Sequence, residues 1–260
     1  MSFRCLSLIV IAVLPCVAAE QSVLRVCADP NNMPFSNERG EGFENKLAEM
    51  IAGKLGTKLE YTWWSERKSF IRNSLGQGRC DVVMGVPSTL ESITATKPYY
   101  RSTYVFVSRR DRNLNITSLD DPRLGNWRIG IHVVGDDYAP PAYALARRGI
   151  TSNIIGFSLF GEYGEPNPPA RLIDAVARGD LDVGIVWGPF AGYFAKTAKM
   201  SLDVVPVSPA VFLAVPFTYE ISLGVRKGNE NFKAELDGVL ESESAAIQQI
   251  LSVYGVPQVH

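Results

Sequence analysis

Short apolar runs, separated by glycine and proline, alternate with amphipathic stretches through most of the chain. Leu24-Arg25-Val26-Cys27-Ala28 reads as a buried strand and runs into Asp29-Pro30-Asn31-Asn32-Met33-Pro34-Phe35-Ser36. After Gly42, apolar residues at Phe43, Leu47, Met50, Ile51 and Leu55 fall on one helical stripe. Gly56 stands just past it, where a helix commonly ends on glycine. Lys58–Trp63 is the next strand, residues 69–75 the next helix, and Gly76-Gln77-Gly78 a turn into a third strand, Asp81-Val82-Val83-Met84-Gly85. This βαβαβ unit leaves a crevice at the carboxyl ends of its strands, where ligands collect.

A second copy follows. Thr103-Tyr104-Val105-Phe106-Val107 is strand-like and ends in Arg109-Arg110-Asp111-Arg112, which reads as a linker. Arg128-Ile129-Gly130-Ile131-His132 is a strand, Gly135-Asp136-Asp137 a turn, and Pro140-Pro141 suits the first turn of a helix. Ile154-Ile155-Gly156-Phe157 is a short strand, and residues 161–169, rich in Gly and Pro, form an exposed loop. Leu172, Ile173 and Val176 line a helix stopped by Gly179. Leu181-Asp182-Val183-Gly184-Ile185-Val186 then repeats the design of Cys80-Asp81-Val82-Val83-Met84, acid first and branched apolar residues after. Ile221-Ser222-Leu223-Gly224-Val225 is a returning strand, and one helix is expected over residues 231–254. The pattern predicts an α/β protein of two lobes joined by a double-crossover hinge, with crossings near Val107 and Tyr219. The lobes are 20–110 with 219–260, and 111–218.

Residues 1–19 stand apart. Arg4, a short apolar run from Leu6 to Leu14 and the Val17-Ala18-Ala19 end describe a cleaved secretory signal. The run is shorter than the ~20 residues a membrane span needs. Export followed by life in an oxidising compartment is the expectation, with no membrane span in the mature chain. The chain carries 26 basic and 27 acidic residues, and losing Arg4 with the leader makes the balance one unit more negative. Such a balance does not call for nucleic acid. Cys27 and Cys80 survive cleavage. If Cys80 opens a strand parallel to that of Cys27, they are offset by about 13 Å at ~3.3 Å per residue. A bridge needs Cα atoms within roughly 7 Å, so two buried free thiols are expected.

The order Asp29 to Phe35, Gly42-Phe43-Glu44, Pro98-Tyr99 and Leu223-Gly224-Val225-Arg226-Lys227-Gly228-Asn229 resembles the type II periplasmic solute-binding fold of the family-3 extracellular binding proteins. The likeness extends from Leu24 to Gly255. It implies an arginine after the third strand for a ligand carboxylate and an acid ending the lobe-two strand for an ammonium. Here residues 89–96 hold no arginine, Trp187 stands at the acid's place, and Asn32 replaces a stacking aromatic. A zwitterion would lose a partner at each end. The chain has aromatics instead: Trp63-Trp64, Tyr99-Tyr100, Trp187, Phe190 and Tyr193. The cleft candidates are Asp29, Asn32 and Phe35 on the first turn, and Trp64 and Arg67 after the second strand. Pro87 and Ser88 follow the third strand, Tyr99 and Tyr100 precede the first crossing, and Asp136 and Trp187 come from the second lobe.

The wording of Cys27-Ala28-Asp29-Pro30, Tyr61-Thr62-Trp63-Trp64 and Pro98-Tyr99-Tyr100-Arg101-Ser102 is similar to the J proteins associated with quinoprotein methanol dehydrogenases, the MxaJ and XoxJ branches. That resemblance implies a monomeric periplasmic accessory protein for a pyrroloquinoline-quinone enzyme, with the dehydrogenase as partner and its cytochrome c as a further candidate. A small molecule or peptide is an added occupant of the cleft. The calcium and lanthanide branches stay open. A transport receptor for an uncharged or aromatic solute is the second reading. Catalysis is not expected: His132 and His260 are the only histidines, and no zinc or calcium spacing occurs. No cofactor is called for.

Overall fold

A computed structural model describes residues 22–67, 69–135, 137–160 and 167–259. The cleavage site, Asp136 and residues 161–166 of the Gly- and Pro-rich loop lie outside the described residues. Nine strands carry the fold: β1 Val23–Ala28, β2 Lys58–Trp63, β3 Val82–Pro87, β4 Tyr100–Arg109, β5 Ile129–Val134, β6 Ile154–Ser158, β7 Val183–Trp187, β8 Leu202–Pro206 and β9 Thr218–Val225. The hydrogen-bonded order is β6-β5-β7-β4-β9-β3-β1-β2, with β8 on the other edge of β4. Within each group the strands are parallel, β1 to β2 and β3 on one side, β5 to β6 and β7 on the other. The parallel strands joined by helices are those the apolar runs announce.

The two groups meet on the long strand β4. Its first four residues pair antiparallel with β9, Thr103 opposite Thr218. From Tyr104 onward it pairs with β7, Trp187 opposite Tyr104, and with β8. Both groups thus form one hydrogen-bonded path, and the change of partners falls at Thr103–Tyr104 rather than near Val107. The charged run after β4 is no slack linker. Arg110 Nε donates to Asp203 at 2.8 Å, and Arg112 pairs with Asp182.

Helix α1, Phe43–Leu55, buries Phe43, Leu47, Ala48 and Ile51 and ends at Gly56 with left-handed backbone, as its stripe requires. The helix expected over 69–75 shrinks to α2, Phe70–Asn73, and a 3-10 turn at Leu75–Gln77. Ser69 carries φ 81° with no side-chain cap, and Gly76 and Gly78 follow, so little holds a longer helix. The next helices are α3 Pro141–Ala146, α4 Ala170–Arg178 and α5 Gly188–Thr197. The last helix is two: α6 Glu230–Ser242 and α7 Ser244–Val253. Ser242 Oγ donates to the Val239 carbonyl at 3.0 Å, a local bond that competes with helix continuation.

Cys27 and Cys80 form a disulfide with Cα atoms 5.5 Å apart, correcting the expectation of free thiols. The offset assumed that Cys80 opens the strand. It does not: β3 begins at Val82, the chain bends at Asp81, and Cys80 is brought back beside β1.

Candidate cleft for a ligand or partner

The cavity of interest lies where the carboxyl ends of β3, β5 and β7 converge on the crossing strands. It measures about 420 Å³ and is walled by Gly85 and Pro87, by Tyr104, Tyr219 and Ile221, and by His132, Val134, Trp187 and Phe190. Asp137, Tyr138, Ala139, Pro140 and Leu159 complete the rim. Local chemistry places each wall. Trp187 closes β7 and precedes α5, whose first turn holds Pro189. Tyr104 faces it because the two pair across the sheet, with rings 5.4 Å apart. Tyr219 on β9 meets the other edge of Trp187 at 5.7 Å. Gly85 sits in a bulge, where Met84 and Gly85 of β3 oppose Leu223 alone on β9. At φ +66° a glycine fits there, and a Cβ would stand 2.1 Å from Glu44 Oε1.

Apart from Asp137 at the rim, the described wall carries no ionised group. His132 is buried, its ring 5.4 Å from Phe190, and its Nε2 donates to the Pro169 carbonyl at 3.1 Å. Burial pulls the imidazole down to about 4, the Pro169 bond opposes that, and nearby Arg171 adds to it. Burial also pushes the Tyr104 phenol well up. Among the described residues, no lysine or arginine contributes to the wall.

Of the candidates named from the sequence, Pro87 and Trp187 line this cavity. Phe35 lies behind it, 8% exposed, with its ring 5.0 Å from Phe190 and 5.1 Å from Phe43. Tyr99 and Tyr100 are core residues, 6% and 5% exposed, their rings 5.0 Å apart. Trp64 faces away, under the Arg79 guanidinium at 4.7 Å and beside the cluster that holds the disulfide. Ser88 is tied to β9, bonding the Glu220 carbonyl at 3.0 Å and the Ser222 hydroxyl at 2.7 Å. Arg67 is exposed. Asp136 lies outside the described residues. The sequence reading did not place His132, Tyr104, Tyr138 or Tyr219 in the wall. The first is a lone polar residue on an apolar strand, and the two crossing-strand tyrosines need the sheet register to be found.

Asp29 and Asn32 belong to a second, polar cluster at the first turn. Asp29 accepts from the backbone N–H groups of Asn31 at 2.8 Å and Glu66 at 2.7 Å, and Asn32 Nδ2 donates to Glu66 at 2.9 Å. Burial, then the Asp29 carboxylate, pushes Glu66 up to about 8, against the Asn32 bond. Burial, then Glu66, raises Glu44 well above the usual carboxylate range. Asn32 Oδ1 and Glu44 Oε1 are buried without a hydrogen-bond partner among the described residues.

A family model for bacterial extracellular solute-binding proteins, family 3, matches residues 24–255. The chain belongs to that family. "Protein MoxJ" of Methylorubrum extorquens is 31% identical over 251 residues, 92% of this chain and 82% of the relative. The periplasmic binding protein XoxJ from Methylobacterium extorquens AM1 shares 36% identity and a TM-score of 0.75, over 91% of this chain and 99% of its own. MxaJ from Methlophaga aminisulfidivorans MPT shares 27% identity and a TM-score of 0.80, over 91% and 100%. The architecture is accordingly the type II periplasmic-binding-protein fold. Among the described residues the cavity presents aromatic rings and His132, with Asp137 at its rim. No described helix is long and apolar enough to cross a membrane.

Proposed function

We propose that the chain is a non-catalytic periplasmic accessory protein of a quinoprotein methanol dehydrogenase system, docking the dehydrogenase or a partner segment in or beside the aromatic cavity. The observation that carries this reading is the wall itself. Trp187, Tyr104, Tyr219 and Phe190 surround a space that no described lysine or arginine lines, which suits an apolar anchor better than a free amino acid. The likeness to MoxJ, XoxJ and MxaJ and to the J-protein wording at residues 27–30, 61–64 and 98–102 supports the same assignment. The Cys27–Cys80 disulfide suits an oxidising compartment. The lobe assignment, 20–110 with 219–260 and 111–218, remains part of the proposal. The test is capture of the purified dehydrogenase, alone and with its cytochrome c, by the tagged full chain. Retention of the dehydrogenase by the wild type and its loss in Trp187→Ala support the reading. Micromolar, saturable binding of a free amino acid, ~−8 kcal/mol, overturns it in favour of transport.

A further inference from the structure

The described wall of the cavity is mostly aromatic and apolar, with Asp137 at its rim, and the chemistry of the buried His132 ring narrows what fits. The Pro169 carbonyl can only accept, so the hydrogen of His132 must sit on Nε2, 3.1 Å away. A neutral imidazole carries one such hydrogen. Nδ1 is therefore a bare lone pair, and it has no hydrogen-bond partner among the described residues. A cationic ring is disfavoured because His132 is 6% exposed against Phe190, with no carboxylate bonded to it. Nδ1 is not among the fully buried atoms that lack a partner, so it is open to the cavity that His132 lines, and the O–H or N–H of a ligand can take the place of water there.

We propose that the cavity takes a neutral aromatic ring carrying a hydrogen-bond donor, of phenol or indole type, and that His132 Nδ1 accepts that donor. This rests on the reading of the cavity as a binding site. Size agrees: a cavity of about 150 Å³ holds a benzene ring, and this one measures about 420 Å³. The rings of Tyr104, Trp187, Tyr219 and Phe190 offer edges and faces for stacking. Among the described residues, an anion finds no lysine or arginine in the wall. The carboxylate that lines it among those residues, Asp137, is exposed at the rim and already engaged within the protein. The ring has two sources: a free molecule, or the side chain of a tyrosine or tryptophan on a docked partner. The chemistry at Nδ1 is the same for both.

Calorimetry on the mature full chain tests it with matched probes, phenol against anisole and indole against 1-methylindole. The donor-bearing member of each pair is expected to bind about tenfold tighter or more, and His132→Leu to reduce the ratio to near one. Should that variant fail to fold, the ¹⁵N shift of His132 Nδ1 in the wild type serves instead, moving with phenol and not with anisole. Equal affinities within each pair, with Nδ1 unmoved, overturn the proposal, as does benzoate or tetramethylammonium binding tighter than phenol. N-acetyltryptophanamide against N-acetylphenylalaninamide separates the sources. Tight binding of the first supports the donor-bearing ring presented by a chain, and binding of phenol and indole alone supports it as a free molecule. Rings bound without donor preference remove this proposal and leave the docking reading standing. Donor preference without capture of the dehydrogenase removes the docking reading and leaves this proposal standing.

Discussion

At the scale of single residues, burial decides which aromatic side chains are free to meet a partner. Trp187 is half-buried in the cavity wall, while Trp64 packs beneath Arg79 on another face. Trp187→Ala should weaken dehydrogenase binding by about 2 kcal/mol and leave most of the stability intact. Trp64→Ala should lower the melting temperature and spare binding. Affinity and thermal unfolding measured on both variants check the pair, and the reverse pattern would move the docking surface to the Trp64 face. The carboxyls of the first turn give a second prediction. Glu66 keeps its proton up to about 8 in the folded chain but releases it near 4.5 when unfolded. The folded form therefore holds more protons between those values, so stability is full below the lower one and falls as pH rises to the upper. Urea unfolding should show a loss on the order of 1–3 kcal/mol from pH 5 to pH 8, and Glu66→Gln should flatten it. Nothing in the local residue pattern marks this. Glu66 sits in a polar stretch, Ser65-Glu66-Arg67, and its partial burial comes with the bond from its backbone N–H to Asp29 at the first turn.

At the scale of elements, much was legible, because buried parallel strands leave apolar runs of their own length. Strand β2 has the limits its pattern predicts, and α1 buries the stripe its spacing predicts. What escaped was set by pairing between distant segments. The shared acid-first design of β3 and β7 was visible, but not its reason. Asp81 grips Arg25 through its backbone N–H and guanidinium, and Asp182 grips Arg128 in the same way with Arg112 added. Each acid locks the start of its strand to the neighbouring strand. Partial burial works against ionisation of Asp182, yet the Arg128 and Arg112 guanidiniums hold it well below the usual carboxylate range. Asp182→Asn should cost about 1–3 kcal/mol at neutral pH, measured by denaturant unfolding. Because the pKa is depressed, that contribution is present above the ordinary value of 3.8 and fades as pH falls below it. The disulfide was missed for a related reason, a two-residue error in where β3 begins. Replacing Cys27 and Cys80 together by Ala should destabilise by roughly 2–4 kcal/mol. An unchanged urea midpoint would mean the bridge does not constrain the unfolded chain.

At the scale of the whole molecule, the two strand groups are joined by more than β4 and β9. The carboxyl-terminal segment lies along α5: Tyr254 stacks on Tyr193 at 5.9 Å, Lys196 donates to the Val253 carbonyl at 2.8 Å, and Gly255 packs against Gly192. Beyond α7, Ser102 Oγ donates to the Pro257 carbonyl at 2.6 Å and Val259 N–H to the Arg101 carbonyl at 3.1 Å. Tyr254 also reaches α1, with its ring 5.9 Å from Phe43 and its hydroxyl on the Glu41 carbonyl. One side chain thus touches both proposed lobes, and behind the cavity Phe35 and Phe190 meet as rings from the two sides. If the lobes move as bodies about the crossing strands, these ring contacts restrain the movement, and a partner shifts it only by favouring one arrangement. A double-mutant cycle on Tyr193 and Tyr254 should give a coupling of about 0.5–1.5 kcal/mol. Tyr254→Ala should also increase the radius of gyration in solution scattering, while a variant of Tyr61, whose ring stacks on Trp63 within the first strand group, should not. A coupling near zero with an unchanged radius would mean that β4 and β9 alone hold the halves as one rigid body. A partner would then have to fit the cavity as it stands.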